Sequence, residues 1–113
     1  GGLYQLAEDC CQKSALGCGL IAHFSNGHIS FVFYQDTPFE AAHLDTLAGI
    51  IGELQQAATA CGGVLVVEHA PVALKSRVAV WGPDRGDLPI MRLLKKQFDP
   101  DGILNAGRFI GGI

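Results

Sequence analysis

Hydrophobic and polar residues alternate in two runs near the start of the chain, along residues 20–24 and 29–34. A period of two is typical of half-buried β-strands. Asn26-Gly27 lies between the runs and predicts a two-residue hairpin turn, because both residues accept the positive φ angles that such a turn requires. Both faces of this hairpin are apolar, so we expect it to lie in a sheet with a covered face.

Elsewhere the hydrophobic residues recur with the period of an α-helix. The first such stretch covers residues 3–15 and ends before Gly17. Its apolar or small positions are Leu3, Leu6, Ala7, Cys10, Cys11 and Ser14.

The second helix has clear start and stop signals. Thr37 suits the N-cap, Pro38 the first helical position, and Glu40 the capping box. Gly62-Gly63 predicts its end. One apolar stripe follows the helix through Leu44, Leu47, Ile50, Ile51, Leu54, Ala58 and Cys61.

A third helix is predicted over residues 88–98, with Asp87 as its cap. It should end at Asp99-Pro100, because the residue before a proline avoids the helical conformation. The side expected to face a core carries Ile90, Leu94 and Phe98. The side expected in solvent carries Arg92, Lys95 and Lys96. The glycines that follow predict an irregular tail: Gly102, Gly107, Gly111 and Gly112.

Between these helices, Val64 to Glu68 is a short apolar run that predicts a buried strand. Residues 72–80 are only weakly periodic and fit either a short helix or an edge strand. The resulting β-β-α-β order predicts an α+β fold, an antiparallel sheet with helices packed on one face.

Length and composition fit one domain. The chain has 113 residues, of which 49% are hydrophobic, so it is long enough to bury a core and too apolar for disorder. No apolar run approaches the roughly 20 residues of a membrane-spanning helix, and the start lacks the pattern of a signal peptide. Because the chain opens on Gly1-Gly2 without a methionine, we expect a fragment of a longer protein.

Charge is unevenly distributed along the chain. Up to Leu74 there are seven acidic residues and one basic residue, whereas from Lys75 onward there are seven basic and four acidic residues. The net charge of −3 argues against a nucleic-acid-binding protein. The basic C-terminal third fits a solvated helix face, which we favour, or a surface that meets an anion.

The cysteines and histidines lack the spacing of metal ligands, since CxxC, HxH and HExxH are missing. We expect the four cysteines to be free thiols, buried as small apolar residues: Cys10, Cys11, Cys18 and Cys61. Free thiols are typical of cytoplasmic proteins, so we expect the protein in the cytoplasm. His28 is expected in solvent, and His23 and His69 lie on predicted strands where they are free to approach each other.

The residues alone identify no catalytic motif. GxSxG, a GxGxxG after a strand and a phosphate-binding loop are all missing. Asp99 and Asp101 look like a carboxylate pair, but helix capping and turn formation beside Pro100 and Gly102 explain them. The catalytic residues therefore stay unknown, and no metal is expected.

The tail carries a longer motif, MRLLKKQFDPDGILNAGRF, over residues 91–109. It resembles the pattern lK..fDP.giLNPGr that ends the chain in FAD-linked oxidases of the vanillyl-alcohol oxidase type. Trp81-Gly82 and Glu68-His69-Ala70-Pro71 resemble one branch of that family, the FAD-binding subunit of bacterial glycolate oxidase. Ala106 departs from the family's proline, which loosens the loop without removing a polar contact.

The resemblance implies that residues 1–113 form one C-terminal cap or substrate domain, ferredoxin-like in its fold, of a larger flavoprotein. Its tail, residues 99–113, would return to the FAD-binding domain of the same chain. Asn105, Gly107 and Arg108 would then line the FAD site, since they offer an amide, close backbone approach and a permanent cation. The alternative is that these three residues only fold the tail. FAD needs both walls of a site, so this fragment alone should not hold it.

The leading functional hypothesis is therefore a domain of a FAD-dependent oxidoreductase, resembling glycolate oxidase, that oxidises a 2-hydroxy acid and is inactive as this fragment. A second hypothesis is a noncatalytic module that docks other oxidase subunits through an apolar face of the hairpin. A third is a small ligand-binding α+β domain.

Overall fold

The first helix and the hairpin form where the periodicity predicts them, in a computed structural model that describes residues 2–14, 16–23, 25–83 and 86–113. The helix α1 is Gly2–Ser14, and the strands are β1 (Gly17–His23) and β2 (His28–Tyr34). The strands pair antiparallel, with Gly17 opposite Tyr34. Of the predicted elements, Ala15 and Phe24 lie outside the described residues, as do the side chains of Leu3 and Ser14.

The turn of this hairpin differs from the prediction. The strands end at the pair His23 and His28, so residues 24–27 connect them and the two-residue turn predicted at Asn26-Gly27 is wrong. A two-residue turn of type I′ needs positive φ at both central residues, and of these two only Gly27 has it. The side-chain oxygen of Asn26 instead accepts a hydrogen bond from the His28 amide at 3.1 Å, a local alternative to strand pairing.

The second helix, α2 (Ala41–Ala60), begins at a different cap from the predicted one. Glu40 takes the N-cap position that we predicted for Thr37. Its amide donates to Nδ1 of His43 at 3.1 Å, while its side chain accepts from the His43 amide, so histidine completes the capping box. The side chain of Gln35 donates to the Thr37 carbonyl at 2.9 Å and holds that segment in a bend before the helix.

The apolar stripe of α2 forms the centre of the core. Gly62 and Gly63 follow the helix as predicted, and the Gly63 amide donates to the carbonyl of Ala58 at 2.8 Å. Six of the seven predicted stripe residues are buried, and Cys61, at the C-cap, is exposed. The core joins this stripe to α1 and to the short helix α3 (Val72–Lys75), and consists of Ala7, Cys10, Leu16, Leu44, Leu47, Ile50, Ile51, Leu54 and Leu74.

Helices cover one face of the hairpin, as the predicted α+β fold requires. Phe31 and Phe33, two positions apart on β2, pack against the core, with ring centroids 6.5 Å apart. On the opposite face Ile21, Val32 and Tyr34 are 58, 55 and 56% exposed. The antiparallel sheet is therefore covered on one face and open on the other within the described residues.

The strand predicted at Val64 to Glu68 is wrong, and the described chain has the order β-β-α rather than β-β-α-β. The side chains of the segment do alternate. Leu65 and Val67 pack on the core, whereas Val64 and Val66 are 40 and 41% exposed. The backbone of the segment, however, makes one hydrogen bond among the described residues, from the Val67 amide to the Val80 carbonyl at 2.8 Å. A strand needs a neighbour that pairs along its length.

Within residues 72–80 the short-helix alternative is confirmed for the first four residues, which form α3 (Val72–Lys75). The guanidinium of Arg77 then pairs with Asp45 of α2 at 2.5 Å. The chain divides into two compact units, Gly1–Val80 and Trp81–Ile113. The second contains α4 (Leu88–Phe98) and a 3₁₀ turn (Ile110–Gly112). None of the helices described is both long enough and apolar enough to cross a membrane.

The four cysteines are free but differ in burial. Cys10 and Cys11 are buried as predicted, Cys18 is half-buried, and the prediction is wrong for Cys61, which is exposed. The Cys10 thiol donates to the carboxylate of Glu53 at 3.4 Å. Burial, together with the neighbouring Cys18, raises the pKa of the Cys11 thiol to about 12.

We expect iodoacetamide at mildly alkaline pH to alkylate Cys61 first and Cys11 last, because Cys61 is exposed, whereas Cys11 is buried and its raised pKa keeps that thiol protonated. Peptide mass spectrometry over a time course measures both rates in one sample. Urea should bring the two rates together, since the raised pKa of Cys11 depends on the fold. Equal rates in the folded chain would contradict the burial of Cys11.

Candidate functional site

A buried carboxylate at the end of α4 organises the tail behind it. The helix stops at Phe98, before Asp99-Pro100, as predicted. The Asp99 residue is 6% exposed, and its carboxylate accepts hydrogen bonds from the amides of Ile103 at 3.0 Å and Leu104 at 2.9 Å. Asp99 therefore has the capping and turn-forming role that its position predicts.

Lys95 supplies the positive charge beside this carboxylate. Its Nζ lies 2.6 Å from Oδ2 of Asp99 and also donates to the Leu104 carbonyl. We predicted Lys95 in solvent, but its side chain is only 26% exposed because it is held between these two acceptors. Residues four apart on a helix are neighbours, and the spacing of Lys95 and Asp99 is the signal in the sequence that could have predicted this contact.

These contacts lower the pKa of Asp99 below its ordinary value of 3.8. The hydrogen bond from Lys95 is the largest cause, and the amides of Leu104 and Ile103 act in the same direction, while burial opposes them. The carboxylate is therefore charged at neutral pH. It acts as a fixed acceptor that holds the tail, which we call the Asp99 clamp (Lys95, Asp99, Ile103 and Leu104).

Beyond the Asp99 clamp, the three predicted site residues lie in one turn. Asn105 and Gly107 both have left-handed φ angles, 53° and 71°, which glycine adopts freely and asparagine tolerates. The Arg108 amide donates to the Asn105 carbonyl at 3.2 Å and closes the turn. All three residues are exposed, and a Cβ placed on Gly107 would meet nothing within 4 Å, so a flat group has room to approach this backbone.

An aromatic pair fixes the other end of the turn. The rings of Trp81 and Phe109 meet edge to face, with centroids 5.3 Å apart. The Phe109 amide also donates to the carbonyl of Ile113 at 3.2 Å. The turn of residues 105–108 is thus held between the Asp99 clamp and this pair.

The apolar side of α4 is exposed, which contradicts the predicted burial. Asp87 occupies the N-cap, although its side chain makes no capping hydrogen bond. Ile90, Leu94 and Phe98 are 62, 53 and 79% exposed. One helix and a tail are too little chain to bury both sides of the helix. Among the described residues, nothing covers this apolar row.

The histidines lie outside the second unit. His23 and His28 stack at the end of the hairpin, with ring centroids 5.9 Å apart, and His28 is exposed as predicted. His43 caps α2, and His69 lies in an irregular segment. Across the described ranges, no three His, Cys, Asp or Glu side chains gather into a set that could hold a metal ion.

Comparison with known proteins identifies one family. Residues 1–109 match the family described as FAD linked oxidases, C-terminal domain. The matched range includes the Asp99 clamp and the turn of residues 105–108. No curated protein and no solved structure matches the chain.

Proposed function

The chain belongs to the family of FAD linked oxidase C-terminal domains, and we propose that it is the substrate-side cap of a FAD-dependent oxidoreductase that oxidises a 2-hydroxy acid. The family implies FAD as the cofactor of the full-length protein and an FAD-binding domain as the partner of this one. The observation that carries the proposal is the clamped turn that presents Asn105, Gly107 and Arg108 together. FAD supplies the chemistry of hydride acceptance when it is bound.

The residues of the turn fit one wall of a flavin site. The Asn105 amide both donates and accepts hydrogen bonds, and Arg108 offers a permanent cation to a carboxylate or to a polarised ring edge. Gly107 leaves room for a flat ring. The turn is exposed, so the opposite wall has to come from the FAD-binding domain, and we expect the 113-residue chain alone to be inactive and to hold FAD poorly.

The exposed apolar row on α4 supports docking against that FAD-binding domain. Ile90, Leu94 and Phe98 supply hydrophobic area, and the exposed Arg92 and Lys96 lie on the same helix. We propose that residues 1–113 act as one cap domain whose tail, residues 99–113, returns to the flavin. Burial of such a row stabilises association by roughly 25 cal/mol per Å² of apolar surface before the costs of binding.

Three features support the finer points of the proposal. The segments Glu68-His69-Ala70-Pro71 and Trp81-Gly82 favour a glycolate-oxidase-like branch, and the Arg108 cation suits the carboxylate of a 2-hydroxy acid. The free thiols of the described cysteines favour the cytoplasm.

The variants Asn105→Gly and Asn105→Ala, made in the full-length protein, test whether Asn105 only gives the tail its left-handed turn or also contacts the flavin. Both variants remove the amide, so we expect both to lower glycolate oxidation about tenfold or more, the scale of one lost polar contact to a reacting group. Ala should also destabilise the tail by about 1–2 kcal/mol, because it pays the left-handed strain that glycine avoids. Flavin absorbance per polypeptide and steady-state rates are the measurements.

Full activity in Asn105→Gly would show that Asn105 only folds the tail. A full-length protein that purifies without flavin, and that added FAD does not reconstitute, would overturn the oxidoreductase proposal itself.

The alternative function, a noncatalytic module that docks other oxidase subunits, rests on the open face of the hairpin. Ile21, Val32 and Tyr34 are each more than half exposed there, and three adjacent apolar side chains favour an interface. Co-purification of the full-length protein with sister subunits, and its loss in Val32→Lys, would support this function. The Asn105 variants should leave such co-purification unchanged.

A further inference from the structure

An aromatic pair borders the turn that carries the proposed flavin contacts. The rings of Trp81 and Phe109 meet edge to face, with their planes inclined by 62°. Both rings are only partly buried, since Trp81 is 37% and Phe109 is 50% exposed. Tryptophan and phenylalanine are usually among the more buried residues of a protein. The pair therefore presents an apolar surface that nothing among the described residues covers.

The three residues that lead up to this surface differ in chemistry. Gly107 leaves open space where a side chain would be, Arg108 is an exposed cation, and Phe109 begins the aromatic surface. Consecutive Cα atoms are about 3.8 Å apart, so the Cα atoms of Gly107 and Phe109 are less than about 8 Å apart. Room for a flat ring, a positive charge and an aromatic surface therefore follow one another over a short distance.

A 2-hydroxy acid carries its groups in a matching order. When its carboxylate pairs with Arg108, the hydroxyl-bearing carbon is one bond away and the side chain two bonds away. The side chain can then reach the aromatic pair while the hydroxyl-bearing carbon stays beside the ring that Gly107 admits. Glycolate has a hydrogen atom in place of this side chain and would leave the pair uncovered.

We propose that Trp81 and Phe109 select a 2-hydroxy acid with an aromatic side chain, by packing against its ring. The inference rests on the proposed function and adds the class of substrate. A third ring packs on such a pair in an edge-to-face or offset arrangement, with an attraction beyond the burial of apolar area. The reaction is unchanged: a hydride leaves the alcohol carbon for FAD, a proton leaves the hydroxyl group, and the product is the 2-oxo acid. The pair takes no part in these transfers and determines specificity.

Steady-state kinetics of the full-length protein test the substrate class. With an artificial electron acceptor, kcat/KM for one enantiomer of 3-phenyllactate should exceed that for glycolate by about tenfold or more, the scale of an apolar contact in a substrate pocket. Lactate, whose side chain is a methyl group, should lie between them. A kcat/KM for glycolate that equals or exceeds that for both enantiomers would overturn this inference alone. A protein that holds no flavin, or that oxidises no 2-hydroxy acid, would overturn the proposed function as well.

Two variants at one position separate substrate selection from support of the turn. Trp81→Ala removes the ring and should lower the ratio of kcat/KM for 3-phenyllactate to that for glycolate by about tenfold. Trp81→Phe keeps an aromatic ring and should retain most of this ratio. If Trp81 only held the turn, alanine would lower both rates by the same factor, and an unchanged ratio would therefore contradict the inference. Leu93→Ala is the control, because it truncates another exposed side chain of the same unit, and it should not change the ratio.

Binding of unreactive acids gives a second measurement without turnover. Phenylacetate and acetate have the carboxylate but lack the hydroxyl group, so they cannot be oxidised in this way. In isothermal titration calorimetry of the full-length protein, Trp81→Ala should weaken the binding of phenylacetate by about tenfold and that of acetate by much less.

The same variant identifies the two competing occupants of the aromatic surface. Loss of flavin from Trp81→Ala, measured by absorbance per polypeptide, would mean that the pair holds the flavin ring. A lower thermal midpoint with unchanged binding of phenylacetate would mean that the FAD-binding domain covers the pair. Either result would overturn the inference, whereas retained flavin with weakened binding of phenylacetate would support it.

Discussion

Replacing Leu54 with alanine is expected to lower the free energy of unfolding of the first unit by about 2–5 kcal/mol, the range for a fully buried leucine. Leu54 is 1% exposed, the most buried of the large side chains described. It lies in the α2 stripe and belongs to the core cluster that also contains Leu74 and two residues of α1, Ala7 and Cys10. Truncation removes contacts that the surrounding side chains recover only in part, so a cavity remains.

Urea unfolding of the 113-residue chain, followed by far-ultraviolet circular dichroism, measures this loss. Leu93→Ala is the matched control, because it deletes the same atoms from a side chain that is 68% exposed, and it should change stability by less than about 0.5 kcal/mol. The thermal midpoint should fall by roughly 4–8 °C for each kcal/mol lost. Similar effects of the two substitutions would contradict the position of Leu54 in the core.

Local signals predict the elements of this fold well where the residues that decide them are adjacent in sequence. The spacing from Leu44 to Ala58 predicts α2 and its buried side, and Gly62-Gly63 predicts its end. The prediction of the cap failed because Thr37 is the better N-cap residue by type, whereas the helix begins after Glu40, which exchanges hydrogen bonds with His43. Only the geometry of His43 shows which one the helix uses.

Features that depend on a distant neighbour could not be predicted in this way. Residues 64–68 alternate like a strand, but alternation reports which side chains are buried and not whether a ladder forms. The apolar row of α4 predicts burial, yet Phe98 is 79% exposed, since periodicity does not say whether the covering surface belongs to the same unit. For the apolar row of α4 we propose a partner outside residues 1–113, the FAD-binding domain.

The candidate site could also be predicted only in part from the sequence. The tail motif led to Asn105, Gly107 and Arg108, and the structure places these three in one turn. The contacts that hold the turn were not predicted, because Lys95 and Asp99 look like an ordinary solvated lysine and a helix-ending aspartate. Their shared contact with Leu104 appears only when the tail is folded.

Asp99→Asn in the full-length protein is expected to release the tail and, through it, to lose most of the bound flavin. Asparagine keeps one oxygen acceptor but loses the charge that pairs with Lys95 and cannot accept from both the Ile103 and the Leu104 amides as the carboxylate does. Amide exchange at both positions and flavin content per polypeptide are the measurements. Asp101→Asn is the matched control, because Asp101 is exposed and outside the Asp99 clamp.

The same carboxylate gives the tail a defined dependence on pH. Because the folded-state pKa of Asp99 lies below the unfolded value, its stabilisation is complete above about pH 4 and is lost as pH falls through the folded-state pKa. The Leu104 amide shift in a nuclear magnetic resonance titration should therefore have a midpoint below 3.8. Lys95→Met should raise that midpoint, since the lysine is the largest cause of the shift, whereas Lys96→Met, on the exposed neighbour, should leave it unchanged. A midpoint that both substitutions move equally would mean that general positive charge near α4, rather than the contact with Lys95, sets the pKa of Asp99.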